Sequence, residues 1–95
     1  MKKILVWKTK HEDLYYDAST KQKELDAFLS IFQGMEGSGD YECCPPEGKL
    51  QKASYRRAKK GDKTAAKDFL LMRCDYEYEQ ISIENVQDTN SNSNL

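Results

Sequence analysis

Three groups of residues have the types that chemistry uses. His11, Glu12 and Asp13 are consecutive and set an imidazole beside two carboxylates, the ingredients of general acid–base work. Cys43 and Cys44 are adjacent thiols, which act as nucleophiles or ligands where a thiolate is stabilised. Lys49, Lys52, Arg56, Lys59 and Lys60 lie between Gly48 and Gly61 with no acid among them, a set suited to holding an anion.

The first two groups fail on context. His11 falls at a hairpin tip, where polar residues are expected and water is not excluded. Cys43 and Cys44 precede Pro45 and Pro46, with no helix N-terminus to lower a thiol pKa, and read as loop anchors. One histidine and three cysteines (Cys74 is the third) lack the paired spacing of a structural zinc site. Gly34-x-x-Gly37-x-Gly39 follows a helix and lacks the Lys-Ser/Thr of a phosphate loop. The expectation is a non-enzymatic chain with no catalytic residue, metal or cofactor.

The third group is sharper. At about 100° of rotation per residue, the five cations fall within one arc about 100° wide. Leu50, Ala53, Ser54 and Ala58 lie opposite as the packing side, with Arg57 at its edge. Two readings stand. One is a docking surface for nucleic-acid phosphate, a nucleotide or an acidic protein face. The other is a solvated face whose C-terminal cations suit the helix dipole. Solvated faces usually mix signs for i,i+4 support, and this one does not.

Positioning these groups requires an α+β framework. Residues 3–18 read as a β-hairpin, with Ile4 and Val6 on one face, Leu5 and Trp7 on the other, and the return through Leu14, Tyr15 and Tyr16. Ser19 with Gln22 is a capping box for a helix over about 20–33, whose stripe is Leu25, Phe28, Leu29 and Phe32 and whose stop is Gly34. Residues 34–48 read as a loop anchored by Tyr41 and the cysteines. A helix hairpin follows, turned by Gly61 and Asp62, and its second helix, about 63–74, buries Ala65, Ala66, Phe69, Leu70 and Met72. Residues 75–84 alternate as a strand carrying Tyr76, Tyr78, Ile81 and Ile83, with a bulge or a break near Glu79-Gln80. The order is β-β-α-loop-α-α-β: a small, mostly antiparallel three-stranded sheet with two to three helices packed on it. Its open edges invite a homo-oligomer. Trp7, Tyr15, Tyr16, Tyr76 and Tyr78 are candidate contact anchors, or else complete a small core.

Ninety-five residues make one domain, placed at 1–87, with a disordered polar tail at 88–95. Mean hydropathy is −0.89 and the longest N-terminal apolar run is Ile4-Leu5-Val6-Trp7, which excludes a membrane span by sequence. An odd, sparse cysteine set is no disulfide framework, so a reducing cytoplasm is expected. Charge is patterned: residues 11–42 carry eight acids and two lysines, and residues 43–74 carry nine bases and three acids. The overall isoelectric point near 5.8 argues against a general nucleic-acid binder.

The stretch Trp7-Lys8-Thr9-Lys10-His11-Glu12-Asp13-Leu14-Tyr15-Tyr16-Asp17-Ala18-Ser19-Thr20 resembles the start of small accessory proteins of tailed bacteriophages. Ala58 to Asp62, the residues through Leu70-Leu71, and Asp75-Tyr76-Glu77-Tyr78-Glu79 are similar to their C-terminal half. The resemblance carries over no functional residue. It implies a class: short phage proteins that act in the bacterial host by binding host enzymes or antiviral-defence proteins. The expected function is inhibition or modulation of such a protein. Binding of nucleic acid or a nucleotide by the basic face at 49–60 is the alternative.

Overall fold

A computed structural model describes residues 2–9, 11–73 and 80–86. The expected α+β architecture is present, built on a three-stranded antiparallel sheet of order β2-β1-β3. β1 (Lys2–Lys8) is central, β2 (Asp13–Asp17) and β3 (Gln80–Val86) are its neighbours, and no further strand pairs with either outer edge among the described residues. The hairpin register sets Leu5 opposite Tyr16 and Val6 opposite Tyr15. Its turn is closed by Thr9, whose backbone N–H donates to the Glu12 carbonyl at 2.9 Å while its hydroxyl accepts from the N–H groups of His11 and Glu12.

The pleat sends alternate residues to opposite faces. Leu5 and Trp7 point into the helices, and Tyr16 and Ile81 pack beside them. Val6 lies on the other face, between Tyr15 and Ser82 in the register, and is also buried. β3 pairs with β1 along its whole length, yet Ile83 and Val86 stay exposed. Expectations about residues 75–79, the bulge at Glu79-Gln80 and the tail lie outside the described residues.

Four helices occur among the described residues. α1 (Lys21–Gly37) begins one residue later than the capping box predicts: Thr20 is the N-cap, its hydroxyl accepting from Lys23 N–H at 3.1 Å. Ser19 instead donates from both its N–H and its hydroxyl to the Asp17 carboxylate, which also pairs with Lys23 at 3.2 Å. Those Ser19 bonds, aided by Lys23, hold the Asp17 carboxyl at about 2, against an ordinary 3.8. A depressed folded-state pKa contributes stability above the unfolded value and loses it as pH falls through the folded one. Acid titration of wild type against Asp17→Asn should therefore show an extra loss in the wild type between about pH 4 and pH 2, and parallel curves would show that the pairing contributes nothing.

α1 does not stop at Gly34. Gly34 keeps a negative φ, so the helix runs on to Gly37 and buries Ile31 and Met35 with Ala27, Phe28 and Phe32. Leu25 and Leu29 are only half-buried, so the buried stripe is rotated from the expected one. The true break is Gly39, at φ +83. It starts a single turn, α2 (Asp40–Cys43), inside the expected loop. α3 (Gly48–Lys59) and α4 (Lys63–Met72) form the predicted hairpin. Gly61 takes φ +97 in the turn, a conformation that suits glycine, and the Asp62 carboxylate caps α4 by accepting from Ala65 N–H at 3.0 Å.

The helices meet around four rings. Phe32 of α1, Tyr41 of α2, Tyr55 of α3 and Phe69 of α4 touch in all six pairings, with centroids 5.1–5.8 Å apart. Tyr41 donates from its hydroxyl to the Phe32 carbonyl at 3.1 Å, and burial pushes its pKa far up. The Arg73 guanidinium lies 5.0 Å from the Phe69 ring centre and 5.7 Å from that of Tyr41, and donates to the Cys44 carbonyl. Tyr41 and Arg73 thus pin the α2 segment. Cys43 and Cys44 do not, because both are exposed free thiols; Cys74 lies outside the described residues.

Candidate functional site

Part of the charge pattern of the sequence is spent between helices. α1 supplies acids and the hairpin supplies bases: Lys63 pairs with Asp26, Lys67 with Glu24 at 2.8 Å, and Lys59 with Glu36 at 3.5 Å. Arg57 lies 3.9 Å from Asp62 in the hairpin turn. Lys59 also sits 5.5 Å from the Tyr55 ring centre, so it is held on both sides. Of the five cations expected on one face, Lys59 is therefore engaged within the chain. Lys49, Lys52, Arg56 and Lys60 are exposed and make no ion pair among the described residues.

The packing side of α3 differs from the expected one. Ser54 and Ala58 are buried, with Gln51, Ala53 and Tyr55 half-buried, so the seated line is turned toward Tyr55. The aromatic ring decides this, because reaching three other rings buries more area than a small-residue seam around Leu50. Leu50 is consequently 76% exposed, and Met72, also expected inside, is 40% exposed. With Leu71 they border a groove of about 500 Å³ between α3 and α4, whose polar walls are Ser54, Arg57 and Asp68. Arg57 and Ala53 connect this groove to the unpaired cations around the helix.

The arrangement is electrostatically costly. Lys49/Lys52, Lys52/Arg56 and Arg56/Lys60 are like-charge pairs at i,i+3 or i,i+4, each destabilising by about 0.2–0.5 kcal/mol. The helix dipole favours Arg56 and Lys60 near the C-terminus but disfavours Lys49 in the first turn. Simple solvation therefore accounts for half of the set and not for the rest.

Among the aromatic candidates, Trp7 is 7% exposed and belongs to the core cluster. Tyr16 is half-buried against that core, Tyr15 is 65% exposed on the opposite sheet face, and Tyr76 and Tyr78 lie outside the described residues. No cluster of metal-ligating side chains occurs among the described residues, and none of their helices is long and apolar enough to cross a membrane. Comparison of the chain with family models, curated proteins and solved structures returns no match.

Sequence reasoning missed Tyr55 and Arg73, which organise the core, and the groove beside Leu50. The available signal for Leu50 was its isolation: it is the one large aliphatic residue in α3.

Proposed function

We propose that this chain is a non-enzymatic interaction protein, encoded by a phage and acting in the bacterial cytoplasm. It binds a host or antiviral-defence protein through the outer surface of α3 and inhibits or redirects it. The observation that carries this reading is the adjacency of four exposed cations, without an ion pair among the described residues, to exposed Leu50, Leu71 and Met72. An apolar centre with a charged rim is the anatomy of a protein interface, and the sign of the rim selects an acidic partner.

Binding of nucleic acid or a nucleotide by the same cations is the second reading, favoured by the acid-free stretch itself. Phosphate binding would weaken with salt by about 0.7–0.9 logarithmic units per contact per logarithm of salt.

The test is capture of a partner from host lysate, quantified by mass spectrometry, with wild type and Lys49→Glu/Lys52→Glu/Arg56→Glu. The variant should lose the partner by about tenfold or more at unchanged melting temperature. Equal recovery by the variant rejects the α3 surface. A salt-sensitive shift of labelled RNA or DNA, abolished by the same variant, replaces the first reading with the second.

A further inference from the structure

A second concavity, of about 370 Å³, lies between the hairpin and the C-terminal part of α1. Trp7 and Tyr16 line it from the sheet, Ser30, Ile31, Gly34 and Met35 from α1, and Glu12 and Asp40 line it as well. We propose that this cleft binds an organic cation, a guanidinium or ammonium head on a stem that carries a hydrogen-bond acceptor.

Charge supports the sign. Asp17, Glu24, Asp26, Glu36 and Asp62 each pair with a lysine or arginine, whereas the carboxylates of Glu12 and Asp40 make no ion pair among the described residues. His11 is the one basic side chain of the lining among the described residues. Two carboxylates without an ion pair among the described residues repel a phosphate or carboxylate ligand and attract a cation. Trp7 and Tyr16 beside these carboxylates add to that attraction, since aromatic rings attract cations.

The shape of the site has its own signature. Gly34 has a helical φ, so the backbone does not require glycine there, and a Cβ built on it meets nothing within 4 Å. Glycine in a helix is less favourable than alanine, so its presence leaves space at the cleft at the expense of the helix. The Trp7 indole N–H is buried without an acceptor among the described residues. An unsatisfied buried donor is destabilising, and a carbonyl on the ligand stem would satisfy it. Guanidinium, stem and carbonyl occur together in an arginine residue of a peptide and in free arginine-like metabolites.

Trp7 is the single tryptophan, so its fluorescence and its one indole N–H resonance report on this cleft. Titration of the full chain with Nα-acetyl-arginine amide should give a saturable shift of both signals. The neutral isostere Nα-acetyl-citrulline amide should bind about tenfold or more weakly, the scale of losing a charge-assisted hydrogen bond. Glu12→Gln and Asp40→Asn should each weaken the arginine compound severalfold. Gly34→Leu should fill the space and abolish binding while the melting temperature holds or rises. Free arginine binding as tightly as the amide points to a metabolite, and markedly weaker binding points to a residue within a chain; either supports the site. No shift up to the solubility limit, equal binding of the citrulline compound, or undiminished binding to Gly34→Leu overturns it. Lys49→Glu/Lys52→Glu/Arg56→Glu should leave this titration unchanged, which separates the cleft from the α3 surface.

Discussion

Phe69→Ala should remove about 3–5 kcal/mol of folding stability, the usual cost of deleting a buried phenylalanine. Phe69 is fully buried and touches the rings of Phe32, Tyr41 and Tyr55 as well as the Arg73 guanidinium, so one deletion loosens all four helices together. A domain of this size has about 5–14 kcal/mol to lose. The variant should melt about 15 °C or more below wild type, or fail to fold. Phe69→Leu keeps most of the volume and should cost about 1–2 kcal/mol. Urea unfolding of the three proteins decides the matter. A loss below about 1 kcal/mol for the alanine variant would contradict a core centred on this cluster.

That cluster also marks the limit of what the sequence makes legible. Its rings come from positions 32, 41, 55 and 69, each in a different helix, and no periodicity joins them. The hairpin and the α4 cap were readable because their signals are local: alternation in β1, an aspartate N-cap, and a glycine whose turn demands positive φ. Gly34 misled because glycine ends a helix by taking positive φ, and here Gly39 does so instead. Ser19 misled by one residue, since Asp17 draws its polar atoms away and leaves the cap to Thr20. The basic face was readable as a charge pattern, but its separation into paired Lys59 and unpaired Lys49, Lys52, Arg56 and Lys60 depends on where the acids of α1 fall. The cleft joins Glu12 of the hairpin to Asp40 of α2, and only the folded chain brings them to one site.

Leu50→Glu should discriminate the two readings of the α3 surface more sharply than any cation does. Every cation serves an acidic protein and a phosphate alike, whereas Leu50 serves only a partner that buries it. Burying a leucine contributes about 1.5–3 kcal/mol, so a protein partner should be lost by about tenfold to a hundredfold. The new carboxylate deepens that loss, because an acidic partner would repel it and burial would cost its hydration. Leu50→Ala carries no added charge and should lose less, near the lower end of that range. A phosphate ligand would respond weakly to alanine and only through charge to glutamate, with a loss that fades at high salt. Neither variant should unfold the chain, since the native side chain is already 76% exposed. Affinity for the captured partner, measured with both variants at low and high salt, therefore assigns the surface. A salt-resistant loss ordered Glu before Ala identifies an apolar protein contact. An alanine variant that binds like wild type removes Leu50 from the interface and leaves the cations alone to define it.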